Sequence, residues 1–131
     1  MIRTFSTGAV VAALTATTLV FGQGTATGPK YDPKAEVTVR GRVTEVRTSP
    51  GWMGQDGVHV TVETRYPEVV RVDIAPAEFL KSVDFTIAVG DDLEVTGSYA
   101  RSDGSSVLLA RHLKKHRVTI SVRDPSGAPV W

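Results

Sequence analysis

Three histidines, His59, His112 and His116, are the side chains of this sequence best suited to metal binding or proton transfer. His112 and His116 are four residues apart, a spacing that on a helix would present both rings to one ion. The surrounding pattern predicts a strand instead, where such residues lie roughly 13 Å apart, too far to chelate one ion. Met53 and His59 offer a thioether and an imidazole, which copper accepts, but no spacing requires such a site. We therefore predict no metal and no cofactor, and we expect exposed histidines.

The irregular segment 49–57 contains three glycines and places Trp52 and Met53 near its tip. Loops between the strands of small β-barrels commonly flank a ligand surface. An exposed tryptophan leaves a large apolar ring in water unless a partner covers it. We therefore predict that Trp52, Met53, His59 and Tyr99 bind a ligand. The alternative is that Trp52 folds back over the open end of the domain.

The densest basic stretch, residues 111–117, contains Arg111, Lys114, Lys115 and Arg117. These cations are predicted to bind an anion or an acidic partner. Alternatively, they form a solvated strand edge whose lysines discourage sheet-to-sheet aggregation. A nucleic-acid partner is disfavoured, because few outward aromatic side chains are available for base stacking. Lys and Arg number 15 against 14 Asp and Glu, which is not a strongly basic composition.

Recognisable catalytic motifs do not occur in the sequence. There is no GxSxG, HExxH, SxxK or P-loop pattern. The absence of cysteine excludes thiolate catalysis, disulfides and c-type haem attachment. Asp92 and Glu94 share one strand face, but acidic pairs at the start of a strand are usually solvated. We predict no catalytic residues and no enzymatic activity.

The beginning of the chain has the three parts of a secretory signal peptide. Arg3 provides a positive start, residues 8–21 carry no charge, and small residues follow. We expect a signal peptide at 1–22, with cleavage after Gly22 or as late as Ala26. An uncleaved anchor is the alternative, but the uncharged stretch is shorter than the roughly 20 residues that a span needs. The mature protein is predicted to be periplasmic or secreted, with no stable membrane span.

Alternating valines predict the strands that must position these side chains. In the first strand the apolar residues switch parity at Val46, which is what a β-bulge produces. Pro76 favours the start of a short helix that ends near Ser82. Further alternation predicts strands around residues 58–62, 70–74, 93–97, 107–113 and 118–122. The terminal Trp131 is expected to dock onto the folded domain.

Five strands with one helix between the third and the fourth are the element order of an OB-fold. A composition of 41% hydrophobic and 22% charged residues is typical of a soluble domain. We therefore predict an all-β, OB-fold-like barrel of five to six strands with one short helix. It spans residues 35–131 and follows a flexible lead-in at 23–34. A β-sandwich is the competing fold.

Four segments together resemble a known family: EVTVRGRV at 36–43, APAEFL at 75–80, GDDLEVTGS at 90–98 and LARHLKK at 109–115. They are similar to the domain shared by the magnetosome-associated proteins MamS and MamX, which also occurs in bacteria without magnetosomes. The resemblance implies an exported OB-like domain. It implies no established catalytic residues, and none is assigned from it.

These observations predict an exported, non-catalytic binding module. Its ligand surface would be the 49–57 loop and the adjacent strand face, and the ligand is a small molecule, a metal or a protein partner. A single-stranded nucleic-acid-binding protein is one alternative. A structural or assembly factor of the cell envelope, of the magnetosome-protein-like type, is the other.

Overall fold

The predicted strands and the helix form, but the irregular segment predicted at 49–57 is wrong at both ends, because Ser49, Pro50, Asp56 and Gly57 are paired strand residues. The structure, a computed structural model, describes residues 30–50, 56–66, 68–102 and 104–131. The predicted signal peptide, Trp52 and Met53 lie outside the described residues. The elements in chain order are a 3-10 turn (Pro33–Ala35), β1 (Glu36–Pro50), β2 (Asp56–Thr64), β3 (Val69–Pro76), α1 (Ala77–Ser82), β4 (Asp92–Ser102), β5 (Ser105–Lys115) and β6 (Val118–Ser121).

Five of the strands close into a barrel, and β6 extends the sheet beyond β5. Antiparallel pairing joins β3 to β2, β2 to β1, β1 to β4, β4 to β5, and β5 to β6. A short parallel pairing, Val72 with Leu108 and Asp73 with Leu109, joins β3 to β5 and completes the ring. The barrel confirms the predicted OB-fold-like architecture, and the β-sandwich alternative is wrong.

Strand β1 belongs to both halves of the barrel because it bends in its middle. Its first half pairs with β4 and its second half with β2. The predicted bulge is present, since the register with β2 shifts between Val43 and Glu45. At Gly41 the neighbouring strand approaches so closely that an added Cβ would lie 2.4 Å from the Glu63 carbonyl oxygen. Only glycine accommodates this approach.

The barrel interior is filled by alternating residues of each strand, and the parity of the inward-facing residues changes within β1 and β5. The largest side chains that are fully buried there are Leu93, Leu108, Leu113, Val43, Val62, Val72 and Val95. Helix α1 adds Leu80 to this core, and Phe85 follows from the connection to β4. Val107 and Leu109 are also buried, so the middle of β5 is apolar on both of its sides, as the sequence predicts.

Both terminal segments pack on the outside of the barrel. Tyr31 and Asp32, which fall within the predicted lead-in, contact it: the Asp32 amide donates to the Ser98 hydroxyl at 3.0 Å. Tyr31 Oη donates to a carboxylate oxygen of Glu36 across a short contact. Trp131 packs against Phe79 of α1 with ring centroids 6.1 Å apart, but it remains 44% exposed. Within the described part of the chain, no helix has the length and apolarity to cross a bilayer.

Candidate functional site

The outer face of β1, β2 and β3 carries polar side chains that the strand registers bring together. Arg47 of β1 lies opposite His59 of β2, and His59 lies opposite Asp73 of β3. Ser49, two residues beyond Arg47, lies opposite Gly57. We call this surface the triad face, after Ser49, His59 and Asp73.

The three triad side chains form a continuous hydrogen-bonded chain. His59 Nδ1 lies 2.6 Å from Asp73 Oδ1, and His59 Nε2 lies 2.7 Å from Ser49 Oγ. An ionised carboxylate only accepts hydrogen bonds, so the Nδ1–H group of His59 donates to Asp73. In the neutral ring Nε2 is then an acceptor, and the hydroxyl of Ser49 donates to it. The imidazole is thereby held in one tautomer and one orientation.

The triad is partly buried and still reachable from solvent. The side chains of His59 and Asp73 are 30% and 27% exposed to solvent, and Ser49 is half-buried at the end of β1. Gly57 lies across from Ser49, and a Cβ added there would sit 3.5 Å from His59 Nε2. Because glycine has no side chain, none projects from position 57 of β2 over this edge of the imidazole among the described residues.

Charged side chains flank the triad on the same face. Arg47 contacts Glu45 at 3.8 Å, and Thr61 donates to Glu45 at 3.3 Å. Arg71 is exposed on β3 and lies opposite Thr61. Two guanidinium groups thus stand on the two strands that border His59, and guanidinium is the side-chain group best matched to carboxylates.

Of the four residues predicted to bind a ligand, the structure places His59 in the triad. Trp52 and Met53 lie outside the described residues. Tyr99 is 43% exposed on β4, where it lies opposite Leu108. Partial burial and the nearby carboxylate of Glu68 raise the pKa of the Tyr99 phenol. No hydrogen bond within the described residues joins the Tyr99 side chain to the triad.

The basic stretch 111–117 divides into paired and exposed cations. Arg111 forms a two-pronged ion pair with Glu36, one arm of which measures 3.0 Å. This pair, with a second hydrogen bond from Tyr31, lowers the pKa of Glu36 to about 2. Lys115 bonds to Asp91 at 3.2 Å and lies 5.8 Å from the centre of the Phe85 ring.

Lys114 and Arg117, by contrast, are exposed. Lys114 lies opposite Glu94 of β4, and Arg117 follows β5 in the turn to β6. Binding of an anion or a partner by the basic stretch stays a prediction. Lys114 and Arg117 are the lysine and arginine residues of this stretch that are exposed for such binding.

A second serine–histidine pair lies on the outer face of β4, β5 and β6. His112 Nδ1 is 2.9 Å from Ser121 Oγ. Across the neighbouring strands Thr38 and Thr96 share a hydrogen bond of 2.9 Å, and Thr96 lies opposite His112. Among the described residues, no cluster of three or more His, Asp or Glu side chains could hold a metal ion.

A shallow groove of about 710 Å³ lies where β1 passes from β2 to β4. It is lined by Arg40, Arg42 and Arg65 together with the carboxylates Glu63, Glu68, Asp92 and Glu94. Arg40 is paired with Glu94 at 2.8 Å, and Arg42 approaches Asp92 at 4.0 Å. Cations and anions are therefore mixed in the groove, and its electrostatic potential does not favour ligands of one charge.

The sequence did not reveal Ser49 or Asp73 as site residues. For Asp73 the one signal in the sequence is alternation: it lies between the buried Val72 and Ile74 and must therefore face outward. His59 faces outward between Val58 and Val60 for the same reason. Parity does not tell which outward residue of β3 stands beside which residue of β2. That depends on the register, which the sequence pattern leaves open.

Comparisons with known proteins identify a family and a fold. The sequence model of the MamS/MamX magnetosome protein family matches residues 35–120. Among solved structures, the chain is similar to the dimeric N-terminal domain of PriB protein from Thermoanaerobacter tencongensis, with a TM-score of 0.54 and 16% identity. That match covers 65% of this chain and 99% of the other, and at this identity it shows the fold alone. No curated protein matches the chain.

Proposed function

This chain belongs to the MamS/MamX magnetosome protein family, and we propose that it is a non-catalytic binding module that works outside the cytoplasm. It holds a small molecule with a carboxylate or carbonyl group on the triad face. The secretory pattern of residues 1–22 supports the location. An OB-like barrel supports a binding role, because such barrels present ligands on an outer strand face flanked by loops.

The observation that carries the proposal is the hydrogen-bonded triad. Ligand sites combine a small number of fixed polar groups with access from solvent. His59 has both ring nitrogens engaged and retains 30% side-chain exposure. A ligand carboxylate or carbonyl oxygen can accept the hydrogen bond of the Ser49 hydroxyl in place of His59 Nε2. Arg47 and Arg71 supply cations for a ligand carboxylate.

The test is a titration of the mature protein, residues 23–131, with a panel of small carboxylates and esters, followed by amide NMR shifts. We expect saturable shifts concentrated on β1, β2 and β3. Arg71→Ala should weaken binding by about tenfold or more, the effect of losing one charge-assisted hydrogen bond. The matched control is His112→Ala, which alters the other serine–histidine pair and should leave the affinity unchanged.

Two outcomes would contradict the proposal. One is a panel without saturable shifts on the triad face. The other is shifts from a single-stranded oligonucleotide that map to Lys114 and Arg117, grow steeply as salt falls, and vanish in the Lys114→Ala, Arg117→Ala double variant. That second result would favour the nucleic-acid alternative.

A further inference from the structure

The order of atoms in the triad is the one used to activate a serine hydroxyl. A carboxylate accepts from one ring nitrogen, and the other ring nitrogen accepts the serine proton. Asp73, His59 and Ser49 occupy these three positions at 2.6 and 2.7 Å. Arrangements of this kind are recognised by geometry and not by position in a motif, and they recur on unrelated folds.

The second serine–histidine pair shows that this geometry is not a general property of the barrel. Ser121 contacts Nδ1 of His112, not Nε2. The residue across the strand from His112 is Thr96, which carries no negative charge. No hydrogen bond within the described residues joins the His112 ring to a carboxylate. Among the described residues, Ser49 is the serine whose histidine partner is also hydrogen-bonded to a carboxylate.

We propose that Ser49 is a nucleophile that takes an acyl group from an activated ester. Ser49 Oγ attacks the ester carbonyl carbon while its proton passes to His59 Nε2. The bond to the leaving alcohol then breaks, and that oxygen receives the proton from His59. The products are an ester on Ser49 and a free alcohol, with Asp73 stabilising the transient imidazolium as a positioning residue.

The open edge at Gly57 gives the acyl donor its route. The attacking oxygen must reach the carbonyl carbon at about 3–3.5 Å. No side chain projects from Gly57 beside Nε2, so within the described part of the chain this position of β2 leaves space for a flat ester group. The inference goes beyond the proposed binding role, because it requires one covalent event and no turnover.

The experiment treats the mature protein with p-nitrophenyl acetate and follows nitrophenolate release, with peptide mapping of the acetylated residue. We expect one acetyl group per chain on Ser49. Ser49→Ala should abolish this adduct, and His59→Ala should slow its formation by at least about a hundredfold. The matched control, Ser121→Ala, should label at the wild-type rate.

Asp73→Asn separates a positioning role from a purely structural one. An asparagine amide can donate to Nδ1, which stabilises the wrong tautomer and leaves Nε2 unable to accept the serine proton. We expect slower acylation across the whole pH profile while the melting temperature stays close to that of the wild type. Circular dichroism melts of every variant identify any that fails to fold, and if Ser49→Ala does, peptide mapping of the acetyl group on the wild-type protein still tests the assignment to Ser49.

Acetylation of surface lysines without any on Ser49 would overturn the inference. So would equal labelling of Ser49 and Ser121, or labelling of Ser49 that is insensitive to Asp73→Asn. Binding of a carboxylate seen by NMR without acylation overturns this inference and leaves the proposed function intact. Continued nitrophenolate release beyond one equivalent supports the nucleophile and contradicts the non-catalytic role.

Discussion

The barrel has two serine–histidine pairs on two outer faces, and the carboxylates of the two faces have different hydrogen-bond partners. On the triad face a carboxylate stands behind His59, and the three side chains remain reachable. On the face of β4, β5 and β6, Ser121 is the hydrogen-bond partner of His112 among the described residues, while the carboxylates near that side are bound to cations: Glu36 to Arg111 and Asp91 to Lys115. The same residue types therefore form ion pairs in one region and a partly exposed hydrogen-bonded chain in the other.

The largest effect on stability is expected from Glu36→Gln. This change leaves Arg111, whose side chain is 16% exposed, without its carboxylate, and it should lower the free energy of unfolding by about 2–3 kcal/mol. Asp73→Asn keeps a hydrogen-bonding side chain beside His59 and should cost less than about 1 kcal/mol. Urea denaturation measures both values. Equal costs would mean that the two faces do not differ in their structural role.

A pH dependence follows from the same ion pair. The ordinary pKa of the Glu36 carboxyl, 4.5, falls to about 2 in the folded chain because of Arg111 and Tyr31. The stabilisation is therefore complete above about pH 5 and is lost as the pH falls from about 4.5 towards 2. Because the ion pair is partly exposed and screened by solvent, we expect it to contribute about 2 kcal/mol to the free energy of unfolding. Thermal melts from pH 7 to pH 2 should show a shallower acid limb in Glu36→Gln, and an unchanged limb would disprove the assignment.

Trp131→Ala tests the terminal segment that packs outside the closed ring. The indole contacts Phe79 and lies 5.5 Å from the Arg123 guanidinium. Because the residue is 44% exposed, we expect a loss of about 1–2 kcal/mol, below the cost of a fully buried tryptophan. Trp131→Phe, which keeps an aromatic ring, is the control and should lose less. A melting temperature equal to that of the wild type would contradict the docking role.

The smallest effect is expected from Ser121→Ala on the second face. Its hydrogen bond to His112 is exposed, so the free energy of unfolding should change by less than about 0.5 kcal/mol. The same variant should leave carboxylate binding on the triad face unchanged. A larger loss of stability, or altered binding, would show that the two serine–histidine pairs are coupled.

Much of the fold could be predicted from alternation alone. The parity of Val58, Val60 and Val62 predicts that His59 faces outward, and the parity switch at Val46 predicts the bulge in β1. Pro76 and the apolar residues after it predict the helix. These features are local, because the pleat of a strand and the first turn of a helix depend on neighbouring residues.

The meeting of the triad residues could not be predicted, because two irregularities in register create it. Val58 pairs with Ala75, but the register shifts before His59, which pairs with Asp73 where a regular ladder would place Ile74. The bulge between Val43 and Glu45 likewise sets which residues of β1 lie beside β2. A slip of one residue exchanges the two faces of a strand, so each shift decides which side chains become neighbours.

The amino-acid order was therefore sufficient for the strand pattern, the outward direction of His59 and Asp73, the signal-like first segment and the family resemblance. Contact between Ser49, His59 and Asp73 depends on the closed ring of strands. The same ring places Arg111 and Lys115 in ion pairs with carboxylates. Lys114 and Arg117 remain exposed. The face of the sheet to which a side chain points depends on the two-residue repeat within a single strand. Contact between strands depends on bulges and ring closure, which act between residues far apart in the chain.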